Sequence, residues 1–202
     1  MKKPTIERII EVMIASEMKV FTRPFDVTLG GIRTKDNSSN EFNDFLFAMY
    51  HDKNGKIIHE IVEGTTDAGL YYRLHPMHVE GTAIIQHGVQ HRSAYQLQDP
   101  KKDIKQRGHR GQKAFRQIAS MKYWRDADRD KYLDFDGEEQ NDIFATNGHF
   151  MGTVGKLVNN WSAGCWGAII MNMNKLFKIA QVQIDHNLGD KFSFALLHED
   201  MF

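Results

Sequence analysis

Cys165 is the only cysteine in a chain of 202 residues, and it ends the run Trp161-Ser162-Ala163-Gly164-Cys165. Small residues before a cysteine permit a tight turn that exposes the sulfur. They also let backbone N–H groups approach a reacting carbonyl oxygen, as an oxyanion hole requires. His149 lies 16 positions upstream, in Phe144-Ala145-Thr146-Asn147-Gly148-His149-Phe150. An imidazole beside a thiol can take its proton and leave a thiolate–imidazolium pair, the nucleophile of acyl transfer. On composition alone, the competing reading is a small buried hydrophobe. A single thiol excludes an intramolecular disulfide and a thiolate zinc cage.

Other side chains with chemistry are weaker candidates. Arg33 and Arg125 suit bidentate capture of a substrate carboxylate, or equally a pairing with Asp67 or Asp126 inside the fold. Asp126, Asp128, Asp130, Asp134 and Asp136 suggest a calcium loop, but counting from Asp126 the sixth position is Lys131 and the twelfth Gly137. A calcium hand needs Gly and Glu there, so a solvated acidic turn is the favoured reading. His75, His78, His87 and His91 form no His-Glu-x-x-His pair. Lys101, Lys102, Lys105, Arg107, Arg110, Lys113 and Arg116 form a basic stretch with few aromatic residues. That reads as a solvated face or a surface for anionic polymer, not as a nucleic-acid site.

The elements that must hold Cys165 and His149 read as mostly strands. Lys+Arg and Asp+Glu balance at 26 each, so no global charge favours nucleic acid or an anionic membrane. Ile6, Ile9, Ile10, Met13 and Met18 predict an amphipathic N-terminal helix capped by Thr5. Asp44–Tyr50 and Ile57–Val62, separated by Asn54-Gly55, predict a hairpin. Further strands are expected near Gly81–Gln86, Met121–Arg125 and Lys191–Leu197. A helix is expected from a cap at Asn174 to about His186, with Gly189 after its end. Two strands joined by a loop over residues 151–160 would bring His149 and Cys165 to one end of a sheet. No signal-peptide core and no apolar run of membrane-spanning length is present, so the expectation is synthesis in the cytosol without membrane insertion.

His149, the spacer and Ser162-Ala163-Gly164-Cys165 resemble the active-site signature of the YkuD-type L,D-transpeptidase family. That family has Ser/Thr-His-Gly-Cys, so Ala163 stands where its second His would be. The chain is more similar to an uncharacterised phage and bacterial subgroup with Ser-Ala-Gly-Cys. Gly31-Ile32-Arg33, Asn40-Glu41-Phe42-Asn43-Asp44, Gly64-Thr65-Thr66-Asp67-Ala68-Gly69, Gly81-Thr82-Ala83, His109-Arg110-Gly111 and Arg125-Asp126 resemble its motifs in order. Trp166 and Phe150 depart from its usual Gln and Arg. The resemblance implies an α+β, β-rich YkuD-like sandwich over residues 1–202, one domain. Its N-terminal helix, within 1–20, would pack on a core of 21–202, and a helix would follow Cys165.

It also implies a function. Cys165 is the nucleophile and His149 the base, with an oxyanion hole from the backbone of Ala163, Gly164 and Cys165. Arg33, His109, Arg125, Ser162 and Trp166 are the expected substrate contacts. The expected partner is peptidoglycan, the substrate its stem peptides, and the reaction hydrolysis through a thioester with no metal or other cofactor. Delivery to the bacterial wall would be by phage lysis or inside a virion. The alternatives are a cross-linking L,D-transpeptidase and a non-catalytic wall-binding or virion module.

Overall fold

The structure, a computed structural model, describes residues 1–38 and 40–202. Helix α1 covers Ile6–Ala15, and Thr5 caps it by accepting from the Arg8 N–H at 3.3 Å. Its buried stripe, Ile6, Ile9, Val12 and Met13, packs on Ile32, Phe45, Phe47 and Leu197. Those residues lie on one face of a large sheet.

Strand β1 (Thr28–Arg33) runs antiparallel to β2 (Asp44–His51), and β2 forms the expected hairpin with β3 (Ile57–Gly64). Gly55 turns the hairpin at φ +81°, where a side chain is disfavoured. Strand β2 is apolar on both faces because both are covered. Phe45, Phe47 and Met49 lie under α1, and Leu46 and Ala48 face the main core.

A short helix α2 (Leu70–Leu74) follows. Then come β4 (Thr82–Ile85), β5 (Val89–Gln98), β6 (Ala114–Gln117), β7 (Met121–Asp126), β8 (Gln140–Asp142), β9 (Gly148–Phe150) and β10 (Trp166–Ala168). Helix α3 (Ile170–Asp185) and β11 (Lys191–His198) end the fold, before a 3-10 turn at Glu199–Met201. Helix α3 starts four residues earlier than its expected cap, so Asn174 lies inside it. Its C-terminus closes on Asn187 at φ +57°, ahead of Gly189. The Leu188 N–H bonds Gln183 O at 3.0 Å and the Asn187 N–H bonds Ile184 O at 2.9 Å. This is the paired closure in which Asn can replace Gly. Among the described residues, no helix is long and apolar enough to cross a membrane.

The large sheet has the order β10-β9-β6-β5-β11-β1-β2-β3, and β4-β7-β8 form a second, smaller sheet. The large sheet is nearly closed. Beyond β3, the Thr65 N–H bonds Gly167 O at 2.7 Å and the Gly167 N–H bonds Thr65 O at 2.9 Å. Strand β10 is thus bonded on both sides. The main core holds Tyr95, Phe115, Trp166, Phe192 and Phe194, with Met173, Leu176 and Phe177 of α3.

Arg33, expected as a substrate contact, is instead part of the frame. It is 1% exposed. Its guanidinium donates to Asp67 at 2.6 and 3.2 Å and to the Ile85 carbonyl at 2.9 Å. Asp44, beside it, accepts from the Thr34 and Thr66 N–H groups at 2.9 and 2.8 Å. The motif residues of β1, β2 and the turn after β3 therefore form one buried polar knot. Arg33→Met would leave the Asp67 carboxylate buried without its counter-charge, at a cost of about 3–5 kcal/mol. Urea denaturation should show that loss. A substrate role would instead raise KM with stability unchanged.

Candidate active site

Strands β9 and β10 are parallel, with Gly167 opposite His149. The crossover between them, residues 151–165, ends at Cys165. Parallel neighbours need such a crossover, and here it is pinned from behind. The Asn40 carbonyl accepts from the Val158 N–H at 2.8 Å. Asn40 Oδ1 accepts from the Asn159 N–H at 2.5 Å and the Leu70 N–H at 3.1 Å. The Gly69 N–H donates to Ser162 O at 2.9 Å. A Cβ at Gly69 would fall 1.9 Å from the Asn159 carbonyl oxygen, so only glycine fits.

Cys165 Sγ and one ring nitrogen each of His109 and His149 lie within 4.8 Å of one another. Cys165 is 8% exposed and His149 4%. His149 Nδ1 meets the Phe150 carbonyl at 2.8 Å. A carbonyl only accepts, so the ring proton sits on Nδ1 and the lone pair on Nε2. That Nε2 is buried and without a hydrogen-bond partner. The His109 ring stacks on the His149 ring at 4.0 Å between centroids and 9° between planes.

Asn147 organises the group. Its N–H donates to Cys165 Sγ at 3.4 Å, and its Nδ2 donates to Ala145 O at 2.9 Å and His109 Nδ1 at 3.3 Å. Its Oδ1 is held by the Gln117 N–H at 3.0 Å, which sets the amide's orientation.

Burial sets the resting charges. It pushes the Cys165 thiol up to about 11, against the opposing pull of the Asn147 N–H and the Arg110 charge. It pushes His149 down to about 3, helped by His109 and opposed by the bond to Phe150. His109 is also lowered, by burial first and then by Arg110 and Arg116. The resting site is therefore a neutral thiol beside neutral imidazoles, not the thiolate–imidazolium pair expected from residue types. Desolvation outweighs the attraction within an ion pair.

The cleft over Cys165 has a volume of about 760 Å³. Its lining includes Ala163, Gly164 and Asn147 beside Cys165, and Thr82, Tyr123 and Arg125 of the small sheet. A separate cavity of about 290 Å³ opens on His149, Phe150 and Gln112. His109, Arg110 and Trp161 border both cavities.

The expected contacts divide sharply. His109 and Arg125 do face the cleft. Arg125 donates to the Gly81 carbonyl at 3.2 Å, lies 5.0 Å over the Tyr123 ring, and has a buried Nε with no partner. Ser162 does not face the cleft; it shapes the turn. Its Oγ donates to Cys165 O at 2.7 Å and accepts from the Gly164 N–H at 3.2 Å. That commitment removes Gly164 from the expected oxyanion donors. Among the described residues, the N–H groups of Ala163 and Cys165 have no partner. Gly164 keeps the turn by adopting φ +123°. Trp166 is 0% exposed and stacks on Phe115 and Phe194 in the core. Strand alternation explains this: Cys165 faces the cleft, so the next side chain faces inward. Trp161, Asn147 and Arg110 belong to the site but were not singled out for it by residue type.

Among the described residues, two clusters have metal-binding residue types. In the first, Cys165, His109 and His149 each offer one atom within 4.8 Å of the others, and the two imidazole rings stack at 4.0 Å. In the acidic loop, Arg73 occupies the centre. Its Nη2 lies 2.6 Å from Asp126, 3.8 Å from Asp128 and 3.8 Å from Asp130, and donates to the Tyr132 carbonyl. A divalent ion there would displace a fully buried guanidinium and leave it unpaired.

Comparison of the chain with protein-family models, curated proteins and solved structures finds no match.

Iodoacetamide should label Cys165 slowly at neutral pH in the folded protein, with the rate climbing toward pH 11. A midpoint below the free-thiol value of about 8.5 would contradict a buried neutral thiol. Millimolar calcium, or its chelation, should leave Tm unchanged. A calcium-dependent rise in Tm would show that Arg73 yields its place.

Proposed function

We propose that the protein is a cysteine-dependent acyl-transfer enzyme, of the YkuD-like sandwich type, that hydrolyses peptidoglycan stem peptides. One observation carries the chemistry: a ring nitrogen of His149, whose buried Nε2 has no hydrogen-bond partner, lies within 4.8 Å of Cys165 Sγ. The substrate class rests on the ordered motif resemblance. The wall of a bacterium, reached through phage lysis or from a virion, is the matching place of action.

The neutral resting pair favours a concerted first step. The Cys165 sulfur attacks the scissile carbonyl as its proton passes to His149 Nε2. The N–H groups of Cys165 and Ala163 stabilise the oxyanion. The tetrahedral adduct collapses, the C–N bond breaks, and the leaving amine takes the proton from His149. A water then gives its proton to His149 and attacks the thioester, which releases the acid and restores the thiol. The bond from His149 Nδ1 to the Phe150 carbonyl fixes the ring and supports the imidazolium formed on the way.

The small cavity on His149 supports a second reading. An amine entering from that side would be deprotonated by the same nitrogen, and the product would be a cross-link. A wall-binding role without catalysis would leave the orphaned Nε2 without a purpose.

Purified sacculi incubated with wild type should release peptide fragments identifiable by mass. Cys165→Ala should release none, and His149→Ala should lose at least about 100-fold in rate while staying folded. New cross-linked species in place of released fragments would select the transpeptidase reading. Equal products from wild type and Cys165→Ala would overturn the mechanism.

A further inference from the structure

The hairpin tip between β5 and β6 carries a charge that the proposed chemistry has not used. The His109 N–H bonds Gln112 O and the Gln112 N–H bonds His109 O, both at 2.9 Å. Arg110 and Gly111 fill the turn, with φ +48° and +73°. A two-residue turn with both φ values positive favours Asn-Gly or Gly-Gly, so an arginine at its first position bears a conformational cost. The turn lifts the Arg110 side chain to the border of both cavities.

The other arginines near the cleft are differently placed. Arg33 and Arg73 are buried and paired with Asp67 and Asp126. Arg125 is held by a carbonyl and an aromatic face. Arg110 is exposed, and among the described residues no acidic group lies within 4.0 Å of it. A guanidinium without a partner, beside a nucleophile and at the mouth of a cleft, is an anion receptor in search of its anion. Planar carboxylates match its fork of donors.

We propose that Arg110 determines specificity by binding a free carboxylate of the substrate next to the scissile bond. The site thus selects peptides that carry an unblocked carboxyl group near the attacked carbonyl. This inference rests on the acyl-transfer reading of Cys165 for its register, but not for its binding step. The Arg110 charge also acts on His109, His149 and Cys165 together. A bound carboxylate cancels part of that field, which makes His149 a stronger base when a correct substrate is present.

The test uses a synthetic stem tetrapeptide with its terminal carboxylate free, and the same peptide as the carboxamide. Both are titrated by calorimetry into Cys165→Ala protein, which cannot turn over. The free acid should bind roughly 10- to 100-fold tighter than the amide, the range expected of a charge-assisted contact. Adding Arg110→Gln should abolish the preference, and Arg110→Gly, which suits the turn, should do the same with an unchanged Tm. A preference that survives in both variants overturns the proposal, as does equal binding, or no binding, of the two peptides before Arg110 is changed. In wild type, Arg110→Gln should raise KM for the free acid and leave the amide's unaffected. Preferential binding without turnover would sink the acyl-transfer reading and keep this one. Turnover without preference would do the reverse.

Discussion

Two backbone hydrogen bonds between Thr65 and Gly167 join the last strand of the large sheet to the end of β3. Strand β10 has three residues and would be a frail edge if bonded to β9 alone. Bonded on both sides, it becomes a fixed support for the residue just before it, which is Cys165. The bonds demand close approach. A Cβ at Gly167 would lie 2.0 Å from the His149 carbonyl oxygen, and one at Gly64 would lie 2.7 Å from the Gly167 carbonyl oxygen. The buried knot of Arg33, Asp44, Thr66 and Asp67 fixes the chain just past that contact. Asn40 and Gly69 hold the crossover loop from the other side. The placement of Cys165 is therefore inherited from polar groups outside the cleft.

The same closure buries the dyad, and burial has a chemical consequence. With so little of either side chain exposed, neither a thiolate nor an imidazolium is favoured at rest. In the proposed acyl transfer, charge appears only when the sulfur attacks, and then beside the Asn147 N–H, the Phe150 carbonyl and the free turn N–H groups. A buried, uncharged nucleophile is protected from oxidation and alkylation, because the thiolate is the reactive form. Arg110 stands at the boundary of this dry region, where its charge reaches the dyad while its donors remain accessible.

Several features were legible because they depend on local physics. The Asn54-Gly55 hairpin, the Thr5 cap and the stripe of α1 follow from turn chemistry and helical period. A loop over residues 151–160 was read as able to bring His149 and Cys165 to one end of a sheet, and parallel pairing of β9 with β10 does so. Trp166, in contrast, was expected at the substrate, and only its place at the start of β10 shows that it turns into the core. Other features had no local signal. Helix α3 begins on Ile169 and Ile170, which offer no capping side chain, so its start carries no local signal. Strand β5 was hidden by its polar sequence and by a register shift opposite Phe192–Phe194. Arg110 lies in a turn whose residue type disguises it.

By itself, the sequence determined a β-rich chain with one free thiol, a histidine 16 positions before it and a set of Gly, Asn and Asp positions with turn character. Such properties are encoded within a few residues of each other. Tertiary structure alone decided which arginine is buried and which is free, whether the acidic loop is filled by a guanidinium, and which charge state the thiol adopts. These outcomes depend on burial and on partners tens of residues away, as Arg73 is from Asp126 and Arg33 from Asp67. Desolvation is a property of the closed sheet, so no stretch of sequence contains it.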